Sequence, residues 1–253
     1  TSYYFAGAPT DNWVKFGGYY WRIVRVNGDG SVRLIYNGTS TTTTGTGTLI
    51  NNGETQPFNS SDARSEYAGL KYTSGEQHGQ TENSDILIEL QSWYSSSGLS
   101  ATQYSQYIDT SVGFCSDRNL KSGSWSSTGY HDYAAYGRLI TNKNPSLLCT
   151  STDVIAEPVG LITADEVAFA GGVFGVNNSS YYLYNNQVYW TMSPSNYDGW
   201  VYEFVMESVG QLGHGPTWAG ISAKYGVRPV INLKADTRFT GSGTTKDPYT
   251  VVS

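Results

Sequence analysis

The sequence is short of charge. Lys, Arg, Asp and Glu make up 14% of its 253 residues, against about a quarter of an ordinary globular chain. Its 15 basic side chains are outnumbered by 21 acidic ones, for a formal charge of −6. No local basic cluster occurs, so nothing is set to meet a phosphate backbone and no nucleic-acid partner is expected. Long apolar runs are missing as well. The longest are strand-sized, such as Tyr19–Val26, far below the ~20 residues of a membrane helix, and no membrane span is expected. Thr1 opens no signal-peptide pattern, so export implies that it follows a segment already removed.

Tyr (21) and Gly (29), with Ser and Thr, fill the space that charge leaves. Neutral, polar, aromatic-rich chains of this kind suit the cell exterior. There are two cysteines, Cys115 and Cys149. An even count in such a composition favours a disulfide, with two buried free thiols as the alternative. Closing that loop constrains the unfolded chain by roughly 3–4 kcal/mol. The length suits one large domain or two small ones. No 20–50-residue repeat and no dividing linker is found, so residues 1–253 read as a single domain.

The clearest local signal is a hairpin. Tyr19–Val26 and Ser31–Asn37 flank Asn27-Gly28-Asp29-Gly30, and Asn-Gly and Asp-Gly supply the positive φ of a tight turn. Arg22, Arg25 and Arg33 are expected on its wetter face. Thr39–Thr48 is a polar, Gly-broken tract and reads as a loop. Ser61–Leu70 reads as a short helix. Ser84–Gly98 is a firmer one: Ser84 is the N-cap, Asp85 sits at the positive end, and Ile86, Leu90 and Trp93 follow helical spacing. That spacing places Trp93 in the core. Residues 99–159 read as mostly loop with short strands.

A short helix signed at both ends follows. Thr163 and Glu166 form a capping box, and Gly171-Gly172 supplies a left-handed stop. Beyond it, YYLYNN, VYWTMS, WVYEFVMES, GVRPVINL and DPYTVV read as strands. Helices early and strands late predict an α+β domain.

These residues resemble a known pattern. Leu161 to Ala170, followed by Gly171-Gly172, resembles the L-P-T-x-x-E-W-E-x-A stretch of the formylglycine-generating-enzyme branch of the C-type-lectin-like fold. Ile162 stands where that pattern has Pro, and Val167 where it has Trp. Gly226-Val227-Arg228-Pro229 resembles the branch's terminal G-F-R strand. Through YYFAG, YYWRIVRVNGDGSVRLIYNG, SWYSSSGL, GFCSDR, PVGLITADEVAFAGG, YWTMSPS, YGVRPVINL and GSGTTKDPY, the whole chain resembles an uncharacterised family of exported bacterial surface proteins of this fold. The resemblance implies a few helices, small twisted antiparallel sheets, chain ends that meet, and function on a loop-rich face. Fold alone assigns no function.

The chemistry of such relatives is not matched. Cys115 and Cys149 precede the signed helix and lie in no basic context. His78, His131 and His214 lack the spacing of an iron or zinc site. There is no G-x-S-x-G elbow. Glu157-Pro158-Val159 and Trp190-Thr191-Met192 lack the oxygens that hold Ca²⁺ and sugar in calcium-dependent lectins. No enzyme activity, metal or cofactor is expected.

A binding reading remains. Asn196, Tyr197, Asp198, Trp200, His214 and Trp218 bunch between YWTMSPS and GVRPVI, and Tyr and Trp give large contact area at low entropy cost. In C-type-lectin-like proteins diversified by retroelements, the corresponding segment carries the variable binding residues. Trp218, between Gly215-Pro216 and Gly220, is the best single candidate. Trp200, Tyr202 and Phe204 alternate along one strand, so part of that set is core, Tyr202 first. The expectation is a surface or extracellular domain that recognises a protein or glycan. The alternatives are a subunit that self-assembles into a pilin-like filament or a module of a larger adhesin, with a formylglycine-generating-like enzyme behind both.

Overall fold

The computed structural model describes residues 1–214 and 220–252. Its organising element is the expected hairpin, Tyr19–Val26 against Val32–Tyr36. Gly30 takes φ 91° at the turn, and Asp29 Oδ1 accepts from the Ser31 amide at 2.9 Å and its hydroxyl at 2.7 Å. The hairpin lies inside a seven-stranded sheet ordered Val230–Leu233, Val32–Tyr36, Tyr19–Val26, Trp13–Phe16, Tyr249–Val252, Arg238–Thr240, with Tyr3–Tyr4 paired to Tyr19–Val26. Its one parallel contact sets Tyr249 opposite Val14, so chain segments from both ends meet in one sheet.

One face of this sheet receives the helix Asp85–Ser96. Ser84 Oγ accepts from the Leu87 amide, and Ile86, Leu87, Leu90, Trp93 and Tyr94 are buried. Trp93 packs edge-on to Tyr36 (centroids 5.5 Å apart) and Trp21 (6.4 Å), as its spacing predicts. Each such pair adds about 0.5–1.5 kcal/mol beyond its area.

The other face receives the signed helix, Ala164–Ala170. The capping box is complete: Glu166 N donates to Thr163 Oγ1 at 3.1 Å, and Thr163 N donates to Glu166 Oε2 at 2.9 Å. Gly171, at φ 131°, ends the helix. Glu166 also meets the hairpin, with Arg33 Nε at 2.7 Å and Arg25 Nε at 3.1 Å.

The arginines expected on a wet face are therefore not there. Arg33 is 1% and Arg22 8% exposed. Each has found partners distant in sequence. Arg33 meets Glu166, and Arg22 donates to Asn12 Oδ1 and the Pro9 carbonyl while stacking on Trp13. Other expectations also change. Ser61–Leu70 is reduced to one 3₁₀ turn, Ser65–Ala68, because Glu66 turns inward to accept from Ser127 Oγ and the Gly75 amide. YYLYNN forms turns, not a strand. Tyr181, Tyr182 and Leu183 plug the core, and the Leu183 carbonyl accepts from Arg228 Nη1 and Tyr189 Oη, both at 3.0 Å. The polar tract closes in a 3₁₀ turn, Gly45–Thr48, where buried Thr48 accepts from Asn185 Nδ2 at 2.7 Å. Residues 99–159 also carry a helical turn at Thr102–Ser105 and a π-helical turn at Gly137–Thr141.

A second sheet of four strands runs Leu212–Gly213, Val201–Met206, Tyr189–Tyr197, His131–Asp132. The molecule is thus a mixed α+β protein with few helices and small sheets. Cys115 and Cys149 form a disulfide, with Cα atoms 5.9 Å apart. No helix among the described residues is long and apolar enough to cross a membrane.

Candidate functional site

The second sheet decides which side chains of the Asn196–His214 segment share a face. Directly opposed residues in an antiparallel pair point to the same side, and successive residues to opposite sides. Asn196 lies opposite Asp132 on one neighbour and Tyr202 on the other. Tyr197 lies opposite His131 and Val201. In the first row Asn196 and Asp132 are half-buried and Tyr202 is buried, 3% exposed; the second row turns inward. The inward row is packed: Tyr197 is buried, donates its hydroxyl to the Ala63 carbonyl at 2.8 Å and stacks on His131 with rings 5.8 Å apart. Tyr197, expected among the binding residues, is a core side chain in this structure.

Asn196 and Tyr202 of the first row line a cleft of about 160 Å³ together with Tyr130, Tyr136, Asp198 and His214. Three residues singled out by sequence, Asn196, Asp198 and His214, converge here. Tyr202, read as core, is buried at 3% exposure and also borders the cleft. Tyr130 and Tyr136 were not anticipated, because the strand between them, His131–Asp132, is two residues long and gives no periodic signal. Trp200 sits beside Gly199 (φ 114°) at the hairpin tip, 47% exposed, and does not line the cleft. Trp218 lies outside the described residues.

Local chemistry fixes the cleft's polarity. Asn196 Oδ1 accepts from Ser195 Oγ at 3.1 Å, which leaves the amide NH₂ pointing away from that bond. Asp198 is exposed and is hydrogen-bonded by Tyr202, whose phenol is raised first by burial and then by that carboxylate. His214 stacks on Phe174 (centroids 5.6 Å, 14° between planes) and meets the Tyr202 ring edge at 6.3 Å. Burial holds its imidazole below the usual range, against a smaller upward pull from Asp198, so it is neutral at pH 7. Tyr130 Oη donates to Asp132 Oδ1 at 3.2 Å. Lys121 Nζ lies 3.1 Å from Asp132 Oδ2 and 5.0 Å from the centre of the Tyr136 ring.

Other concavities carry less chemistry. The groove along Lys15, Gln103, Tyr104 and Tyr107 is larger, about 460 Å³, but Lys15 is its one charged side chain. A cavity of about 60 Å³ beneath the disulfide brings Arg25, Arg33 and Arg138 near Asp117 and Asp165, but Arg25 and Arg33 are paired with Glu166, and Arg138 with both aspartates.

The residues weighed for other chemistries have structural partners. Glu157 pairs with Lys71 Nζ at 2.5 Å and accepts from Gln91 Nε2 at 3.0 Å. His78 Nδ1 lies 2.9 Å from Asp153 Oδ1. Among the described residues no group of three or more His, Cys, Asp or Glu is arranged to hold a metal ion. No protein-family profile, curated protein or solved structure matches the chain.

Proposed function

We propose that this chain is an extracellular or cell-surface binding domain of C-type-lectin-like architecture, and that it takes a protein or glycan ligand in the Asn196–Asp198–His214 cleft without catalysing a reaction. The observation that carries the reading is the cross-strand row Asp132–Asn196–Tyr202. It places planar hydrogen-bonding groups among aromatic walls, the mixture small-ligand sites use. The disulfide supports an oxidising location. The chain-wide resemblance supports an exported bacterial protein, and the helix-to-sheet arrangement around Glu166 supports the fold.

Binding to arrayed glycans and surface proteins, compared between wild type and Asp198→Ala, tests this. Loss of the recognised ligand with an unchanged melting temperature is the expected result. Equal binding by both proteins removes the cleft from the function.

A second reading, a subunit of a filament or a module of a larger adhesin, rests on a different surface. Phe5, Ile23, Val26, Val32, Phe239 and Tyr249 leave an apolar groove of about 250 Å³ beside the edge strand Arg238–Thr240. Open strand edges of this kind can pair with another chain. Concentration-dependent assembly abolished by Phe239→Asp would favour it.

A further inference from the structure

We infer that the ligand of the Asn196–Asp198–His214 cleft is an uncharged saccharide, bound without a bridging cation. The inference rests on the binding reading above and specifies its ligand. A sugar ring presents two kinds of surface: C–H patches that pack on aromatic rings, and a rim of hydroxyls, each both donor and acceptor. A complementary site needs aromatic walls and a mixed set of donors and acceptors. This cleft has both. Tyr130, which is exposed, and Tyr136 supply the aromatic surface, and Tyr202 borders the cleft as a buried side chain. The Asn196 NH₂ donates, since its oxygen already serves Ser195. The Asp198 carboxylate accepts, oriented by the Tyr202 hydroxyl. The His214 imidazole can offer the ligand its Nε2, since its Nδ1 is buried.

Charge narrows the class. An acidic sugar or a phosphate would meet Asp198, with Asp132 behind it. Among the described residues neither Lys nor Arg lines the cleft. Lys121, the nearby cation, is engaged by Asp132 and the Tyr136 face, and His214 supplies no positive charge. A cationic ligand would find Asp198 already hydrogen-bonded by Tyr202. A neutral polyol needs no unpaired charge on either side. A bridging Ca²⁺ takes six to eight oxygen ligands, several of them carboxylates, and among the described residues Asp198 is the one carboxylate that lines the cleft.

The test is an array of immobilised oligosaccharides: neutral hexose and N-acetylhexosamine oligomers beside uronic-acid-, sialic-acid- and phosphate-bearing ones, each with and without EDTA. Dense display raises weak single-site affinities into range. Binding to neutral oligosaccharides alone, insensitive to EDTA, is expected. Asp198→Asn and Tyr136→Ala should each weaken it by about tenfold or more, the scale of 1.4 kcal/mol, while Trp200→Ala, at the hairpin tip, should change it by about twofold or less. Thermal melts confirm that the variants are folded. Preference for acidic glycans, dependence on calcium, or no neutral glycan bound overturns the inference. Capture of a protein partner that is lost in Asp198→Asn would overturn the saccharide class and leave the cleft as a binding site. A glycan bound equally by wild type and all three variants would overturn both.

Discussion

Glu166 accepts from the Thr163 amide while facing the guanidinium groups of Arg33 and Arg25. Those two arginines are cross-strand partners on the hairpin, and like charges directly opposed destabilise a sheet. One carboxylate serves both ends: its Oε1 faces the two arginines and its Oε2 accepts from Thr163 to complete the helix cap. Burial alone would raise its pKa, but the two arginines and the Thr163 contacts outweigh it and hold the group below its ordinary 4.5. Its stabilisation is therefore complete above 4.5 and lost as pH falls through the lower folded value. Glu166→Gln should cost on the order of 3–5 kcal/mol at pH 7, because it strands two buried guanidinium groups. Urea unfolding at pH 7 and pH 3 should show the gap narrowing in acid, and a constant gap would contradict the assignment. Glu203 carries the opposite sign. It is buried in Val201–Met206, its carboxyl oxygens have no hydrogen-bond partner among the described residues, and burial pushes its pKa well above 4.5 against a pull from Arg118. Stability tied to this group is whole below 4.5 and lost as pH rises through the folded value. Glu203→Gln should stabilise the protein at neutral pH by about 1–3 kcal/mol and change little at pH 4. Arg118 keeps Asp153 as its counter-charge, 3.5 Å away.

At the scale of elements, the capping box and the Ser84 cap are local devices and were legible in the sequence. Thr163→Ala removes one cap acceptor and should cost about 1 kcal/mol, well short of the Glu166 variant. Trp93→Ala opens the aromatic core between helix and sheet and should cost about 3–5 kcal/mol. Urea midpoints for the pair separate a terminal device from a core one. What escaped the sequence is non-local. Arg33 reads as polar and outward until Glu166, far along the chain, supplies its partner. YYLYNN reads as a strand because aromatics favour strands, but Tyr181 and Leu183 serve as plugs held by Arg228 and Tyr189. In the cleft, Asn196, Asp198 and His214 could be picked out because they flank one long hairpin, while Tyr197 read as a binding residue and Tyr202 as core, and both are buried. The register against His131–Asp132 decides their rows, and no local pattern encodes that register.

Across the whole molecule, the cleft is assembled from two stretches under different restraint. Asn196, Asp198 and Tyr202 belong to a hairpin nearly all of whose strand residues are buried. Lys121, Tyr130, Asp132 and Tyr136 all lie between Cys115 and Cys149, in a Ser- and Gly-rich loop whose anchorage includes the short His131–Asp132 strand. The disulfide closes that loop over 34 positions, limiting how far the wall with Tyr130 and Tyr136 can separate from the hairpin. Replacing both cysteines by serine should cost about 3–4 kcal/mol of global stability. The loop is tied to the rest by separate contacts, such as Tyr133 Oη to the Ser65 carbonyl, Ser127 Oγ to Glu66 and Arg138 to Asp165, where the hairpin has a continuous ladder, so its opening should precede that of the hairpin. Hydrogen exchange on the double variant should show residues 116–148 losing protection first while Tyr189–Met206 stays protected. Simultaneous loss in both segments would mean that the disulfide stabilises the molecule as one unit and has no separate hold on the wall of the cleft.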